Sequence, residues 1–323
     1  MSSPSYKTKQ FFFVLIKLSI VVGAFYFIYN KLVNNNTLDF SEFTTYLTEN
    51  NIFSTKNILL LLFLSSFNWF LETLKWKTLV SSIKKTTFLE ALQQSLGSLT
   101  ASLFTPNRIG EYGAKAIYYA KHYRKRIVLL NLIGNIMQMA VTVVFGVIGF
   151  FFFAQHYPIE ISTHRVSRFL IIILVIFGLS LFGIKQKKYK IKGFSIEKVK
   201  QFIKDLPFKI SALTFLVSIV RYLVFSFQFY FLLQLFGVKL NYIEAMVIIT
   251  SMYLLASVIP SIFIFDVVVK GSIAVYLFSF AGVNEFTILC IITIMWLLNF
   301  VLPSVFGSYY VLNFNFDKQN NSL

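Results

Sequence analysis

The stretch FLEALQQSLGSLTASLFTPNRIGEYGAK, Phe88–Lys115, decides how this chain is read. Its first part, 89–105, is apolar enough to enter a bilayer, yet basic residues flank it on both sides. Lys75, Lys77, Lys84 and Lys85 precede it; Lys115, Lys121, Arg124, Lys125 and Arg126 follow. Lysine and arginine near membrane segments stay on the cytoplasmic face. A single crossing would carry one of these flanks to the wrong side, so the segment is expected to enter and leave from the cytoplasm. Pro106 supplies the break: it lacks an amide proton and disfavours helix in the residue before it. The expectation is a re-entrant hairpin over 89–120.

Composition sets the same frame. Hydrophobic residues form 57% of 323 positions and charged ones 13%, against about 25% charged in an average soluble domain. So little polar surface cannot cover a core of this size in water. Full spans are expected at 11–29, 57–74, 127–153, 169–184, 210–236 and 286–312. The first follows Lys7 and Lys9 but precedes no small-x-small cleavage site, so it reads as an uncleaved span with a cytoplasmic N-terminus. The 185–209 loop carries nine lysines and is cytoplasmic; 30–56 has Lys31 and Lys56 against Asp39, Glu42 and Glu49, and lies outside. Within 191–206, Ile196, Val199, Phe202, Ile203 and Leu206 recur at near-helical spacing between lysines. They suit a basic amphipathic helix on an anionic leaflet; a solvated linker is the alternative. Leu38–Phe53 reads as a second interfacial helix.

The net charge of +17 follows these flanks and comes with no nucleic-acid module, so nucleic acid is excluded as a partner. Cys290 is the sole cysteine, which excludes a disulfide within the chain, and no histidine spacing suits a metal. No nucleophile elbow, Walker loop or carboxylate pair appears, so no enzyme, metal or cofactor chemistry is expected.

The opening stretch has a second copy. Phe88–Pro106 aligns without gaps on YIEAMVIITSMYLLASVIP, Tyr242–Pro260, matching Glu90 to Glu244, Ala91 to Ala245 and proline to proline. One extra residue then brings Glu111 and Lys115 onto Asp266 and Lys270, each an acid–base pair at i, i+4. The first copy enters from the cytoplasm and the second, following 210–236, from outside. The expected fold is therefore an all-α polytopic membrane protein forming one domain over 1–323. It has about six full transmembrane helices plus two re-entrant hairpins in an inverted repeat. The first repeat covers 57–153, and the second covers 210–312 with its re-entrant part at 244–282. Inverted repeats with broken helices are a transporter architecture.

Ionisable groups at membrane depth cost at least about 2.5–3.5 kcal/mol each, so each needs a reason. The candidates are Arg108, Glu111 and Lys115 after the first break, Asp266 and Lys270 after the second, and Arg221 within 210–236. Glu72 with Asn68 lies in the second span. Two readings stay open. The charges lock the hairpins as buried ion pairs, or they line a polar cavity for an anionic headgroup with Arg108, Arg221 and Lys270 on the phosphate. Pro106, Gly110, Pro260 and Gly271 mark the breaks; Gly110 and Gly113 suit either close backbone approach or a helix crossing. Trp69 and Trp76 read as interfacial anchors, and Asn299 with Pro303 as a kink.

At SLFTPNRIGEYGAKA the chain resembles the transmembrane family named after lysylphosphatidylglycerol synthase, whose motif runs roughly T-P-G-R-x-G-E. Thr105, Pro106, Arg108, Gly110 and Glu111 match, and Asn107 replaces the middle glycine. The family's second motif is represented by Pro260, Asp266, Lys270 and Gly271, with valines in place of its glycine-rich step. The resemblance spans about 57–312. It implies a flippase-like domain in the plasma (inner) membrane, without the aminoacyltransferase domain of full synthases. Its cargo would be an anionic or aminoacylated phospholipid, or a polyprenyl-linked lipid. The rival readings are a non-transporting accessory that anchors a lipid-modifying or glycosyl-transfer enzyme through its basic loops, and a membrane transferase.

Overall fold

The computed structural model describes residues 54–103, 105, 109–157, 190–191, 194–258 and 266–314, with isolated positions before residue 54. Four helices are long and apolar enough to cross a membrane: α1 (Thr55–Val80), α4 (Lys121–His156), α6 (Phe208–Leu235) and the run Glu285–Leu312. They contain or closely track four of the six expected spans, and the chain is a multi-pass membrane protein whose described residues are almost entirely helical. The expected spans 11–29 and 169–184, and the interfacial helix at 38–53, lie outside the described residues. Lys190–Ile191 pairs with Phe194–Ser195 in a two-residue antiparallel ladder.

Between α1 and α4 the chain forms α2 (Phe88–Ser102) and α3 (Gly110–Ile117). After α6 it forms α7 (Tyr242–Val258) and α8 (Asp266–Ser279). The first expected interruption is present as a helix–break–helix unit, whereas residues 259–265, where the second is expected, lie outside the described residues. The first break has a visible stitch. Thr105 Oγ1 donates to the Ser102 carbonyl at 2.8 Å and accepts the Gly110 amide at 2.9 Å. A Cβ on Gly110 would stand 2.8 Å from Thr105 Cγ2, so the threonine and glycine of the motif are required together by close approach.

Each unit opens with the same cap. Glu90 N donates to Thr87 Oγ1 while Thr87 N donates to the Glu90 carboxylate. Asn241 and Glu244 make the same reciprocal pair. A capping box satisfies two helix-end amides at once, which is the physical reason glutamate recurs at both positions.

Packing exchanges the halves. α1 packs on α6, α4 on α7, and α10 (Leu302–Leu312) on α2. The fourth helix of each half thus lies on the second helix of the other. Glycines permit both crossings. A Cβ on Gly307 of α10 would collide with the Leu96 carbonyl and Thr100 Oγ1, and one on Gly146 of α4 would meet Thr250 O at 3.0 Å and Leu254 Cβ at 2.5 Å. Leu96 and Thr100 fall on Thr250 and Leu254 in the alignment that superposes Pro106 on Pro260. Small residues let membrane helices approach closely where no hydrophobic force drives them together. The faces turned outward are apolar: Val144, Val147, Ile148, Phe151 and Phe152 on α4, Phe306 on α10, all exposed. Lipid is the solvent such faces need.

The last span is interrupted by a π turn, Leu297–Val301, between α9 (Glu285–Trp296) and α10. Pro303 cannot donate to the carbonyl four residues back, which belongs to Asn299. Trp69 Nε1 takes that acceptor at 3.0 Å, and Ser65 Oγ donates to Leu298 O at 2.5 Å. The expected kink is therefore a wide turn filled from α1. Trp69 and Trp76 are 8% and 1% exposed. Both are buried partners of polar groups, which corrects their reading as interfacial anchors.

α5 (Ile196–Asp205) confirms a helix within 191–206. Its Phe202 and the following Leu206 pack against the cluster of Trp76, Leu79, Tyr119, Ile127 and Leu130, while Ile203 and Phe208 are exposed. Part of its apolar side is thus covered by protein.

Candidate functional site

Five charged side chains from three helices, α1, α3 and α6, converge beside amide side chains of α4. Glu72 of α1 accepts from Lys75 Nζ at 2.7 Å and from Arg221 Nη1 of α6 at 2.6 Å. On α3, Glu111 pairs with Lys115 at 2.8 Å, the i, i+4 geometry read from sequence. Lys115 Nζ also donates to Asn131 Oδ1 of α4 at 2.9 Å and lies 4.4 Å from the centre of the Trp76 ring. Lys75 and Lys115 are 3% and 1% exposed. Lysines this deeply buried need both a counter-charge and donated hydrogen bonds, and each has them.

A cavity of about 40 Å³ lies among these groups, lined by Trp69, Glu72, Ser95, Glu111, Lys115, Asn135 and Arg221. That volume holds a water or two, not a lipid headgroup, so this conformation is closed around its charges.

Arg221 joins the cluster to a chain of amides. Its Nε donates to Asn68 Oδ1 at 3.0 Å; Asn68 Nδ2 donates to Asn299 Oδ1 at 3.0 Å; Asn299 Nδ2 donates to Gln228 Oε1 at 3.0 Å. Gln228 Nε2 ends the chain on the Leu61 carbonyl at 3.2 Å. Glu72 and Leu61 lie three turns apart on α1, so the polar file runs about 16 Å along the bundle. Gln138 of α4 accepts from Arg221 Nη1 at 3.4 Å.

Of the residues expected at the site, Glu111, Lys115 and Arg221 are brought together. Gly110 opens α3, and Gly271 lies inside α8, where a Cβ would make an ordinary 3.4 Å contact with Leu289. Asp266 opens α8, and the half-buried Lys270 is not among the cavity's lining residues. Arg108, Pro106 and Pro260 lie outside the described residues. Lys75 was read as a cytoplasmic flank; it is instead a buried member of the cluster. Glu72 and Lys75 at i, i+3 near a span end are the signal that separates it from a flank charge. Asn131, Asn135 and Gln138 were not singled out, although at i, i+4 and i+7 they form one polar stripe on an otherwise apolar span.

Folded around this cluster, the chain is a helical membrane protein with a buried, charged interior site. The family of the lysylphosphatidylglycerol synthase TM region matches residues 14–307, and the chain belongs to that family. No curated protein and no solved structure matches it.

Proposed function

We propose that this protein is a lipid flippase that moves an anionic or aminoacylated phospholipid, or a polyprenyl-linked lipid, between the leaflets of the plasma membrane. The observation that carries the reading is the gathering of Glu72, Lys75, Glu111, Lys115 and Arg221 around a polar cavity inside the bundle. Charges this expensive at membrane depth mark substrate paths more often than scaffolding. Membership of a family associated with lipid handling supports the same reading. The chain is taken to transport its lipid rather than transform it, with its N-terminus in the cytoplasm.

In the proposed architecture the halves are inverted repeats, and α2–α3 and α7–α8 are re-entrant hairpins entering from opposite faces. The shared capping boxes, the exchanged helix contacts and the matching glycine crossings support it. Six spans are counted if 11–29 and 169–184 also cross. Rocking of one half against the other would open the closed cavity to each leaflet in turn.

Reconstitution in vesicles tests the function. Wild-type protein should move labelled anionic or aminoacylated lipid, and Lys115→Met should reduce the rate at equal protein insertion. Vesicles in which no such lipid moves would remove the flippase reading. Labelling of single cysteines placed on each side of Pro106 tests the hairpin. Both sides should react from the cytoplasm only.

A further inference from the structure

Resting on the flippase reading, we propose that the site selects headgroups that carry a phosphate and no ammonium, with Arg221 Nη2 as the phosphate contact. Among the described residues of the cluster, three cations face two carboxylates. The site as folded is thus one positive charge in excess.

The carboxylates are spoken for. Glu72 is held by Lys75 and Arg221, and Glu111 by Lys115. An entering ammonium would have to displace a tethered cation and would raise the local excess to two. An entering phosphate neutralises the excess instead.

Unused hydrogen-bond capacity points the same way. Lys115 has only protons to offer, so Asn131 must turn Oδ1 toward it; Nδ2, a donor and nothing else, is then left buried without an acceptor. Asn131 is 2% exposed and sits one turn before Asn135, which lines the cavity. Ser95, also 2% exposed and a lining residue, has a hydroxyl without a partner. Buried donors left unpaired are costly, and a ligand rich in acceptor oxygens is what would satisfy them. Arg221 spends Nε and Nη1 on Asn68, Glu72 and Gln138. Its Nη2 makes no bond among the described residues, and at 21% its side chain is the most exposed of the five. A planar guanidinium with one free edge is suited to a phosphate oxygen. It could pass from Glu72 to the phosphate while Lys75 keeps Glu72 paired.

The test compares three labelled lipids in the same proteoliposomes: phosphatidylglycerol, lysyl-phosphatidylglycerol and phosphatidylethanolamine. Phosphatidylglycerol should move at least about tenfold faster than either ammonium-bearing lipid, since the headgroup goes from net negative to neutral in phosphatidylethanolamine and to net positive in lysyl-phosphatidylglycerol within a few ångströms of a desolvated cation excess. Arg221→Gln should shrink that preference to about twofold or less, while Arg221→Lys, which keeps the charge, retains most of it. Equal or faster movement of the ammonium-bearing lipids would overturn this selectivity and leave the flippase reading standing. Movement of none of the three would overturn both. Flux of radiolabelled inorganic phosphate into the vesicles, without lipid movement, would likewise overturn a lipid cargo.

Discussion

Replacing Glu72 by glutamine keeps the side chain's volume and removes its charge, so it isolates what the carboxylate does. Two cations approach Glu72 at 2.7 and 2.6 Å. With charge centres about 4 Å apart, each pair is worth about 4 kcal/mol of Coulomb attraction at an effective dielectric of about 20. The two cations do not suffer equally when it goes. Arg221, with a side chain 21% exposed, keeps Asn68 and Gln138 and some access to the cavity. Lys75, 3% exposed, has Glu72 as its partner among the described residues. Stranding one buried charge costs about 3–5 kcal/mol, and the expected loss for Glu72→Gln is therefore in that range, most of it owed to Lys75. Reversible unfolding in mixed detergent micelles measures it. The double variant Glu72→Gln with Lys75→Met should recover more than half of the loss, since it removes the stranded charge and leaves an apolar chain in its place. A single-variant loss under about 1 kcal/mol, or a double variant no more stable than the single one, would show that the cluster is solvated and that the buried-pair reasoning is wrong.

The amide file and the helix crossings give further expectations. Asn299→Leu strands Asn68 Nδ2 and Gln228 Oε1 in the bundle, and should cost about 2–6 kcal/mol at about 1–3 per buried group left unpaired, read in the same unfolding assay. Gly307→Ala drives a methyl group into the Leu96 carbonyl and should cost about 1–3 kcal/mol through overpacking. Gly113→Ala meets nothing within 4 Å and should be neutral or stabilise α3 by about 0.5–1 kcal/mol; the same measured effect at both glycines would refute the packing argument. Thr87→Ala and Asn241→Ala should each loosen the first turn of their helix by about 1 kcal/mol, seen as faster amide exchange at Glu90 and Glu244 respectively.

Much of this was legible in the sequence because membrane insertion leaves strong marks. Apolar runs of span length gave α1, α4, α6 and Glu285–Leu312, and the helix before Pro106 does stop, at Ser102. The Glu111–Lys115 pair was readable because helical spacing alone brings i and i+4 together. What lay beyond the sequence was partnership across helices. Lys75 looked like the lysines beside it because charge bias reports which side a segment lies on, not where one side chain turns. Trp69 and Trp76 looked like interfacial tryptophans because their polar partners, the Asn299 carbonyl and Gln94, are far off in sequence or on another helix. The π turn needed both the missing proton of Pro303 and a donor more than two hundred residues earlier.

The proposed repeat, finally, would be one of frame and not of interior. On α2 the buried positions include Gln94, Ser95 and Ser98; their counterparts on α7 are Ile248, Ile249 and Met252, all buried as well. The capping boxes and glycine crossings match because they build the backbone arrangement, which both halves need. Among the described residues, the interior positions of α2 border the charged cluster and those of α7 do not. Gln94 accepts from Trp76 and Tyr119 at 2.7 and 2.6 Å, fastening the helix that carries Ser95 beside the cavity. Ile248 and Ile249 instead fill an apolar cluster with Phe229, Leu232 and Phe278. Among the cluster's charges, Arg221 is the one supplied by the second half, and it bonds to α1 and α4 of the first. A relative movement of the halves must therefore stretch or exchange the Arg221–Glu72 pair before it disturbs any other charge in the site. Under the proposed flippase reading, headgroup binding and motion would be linked at that single guanidinium.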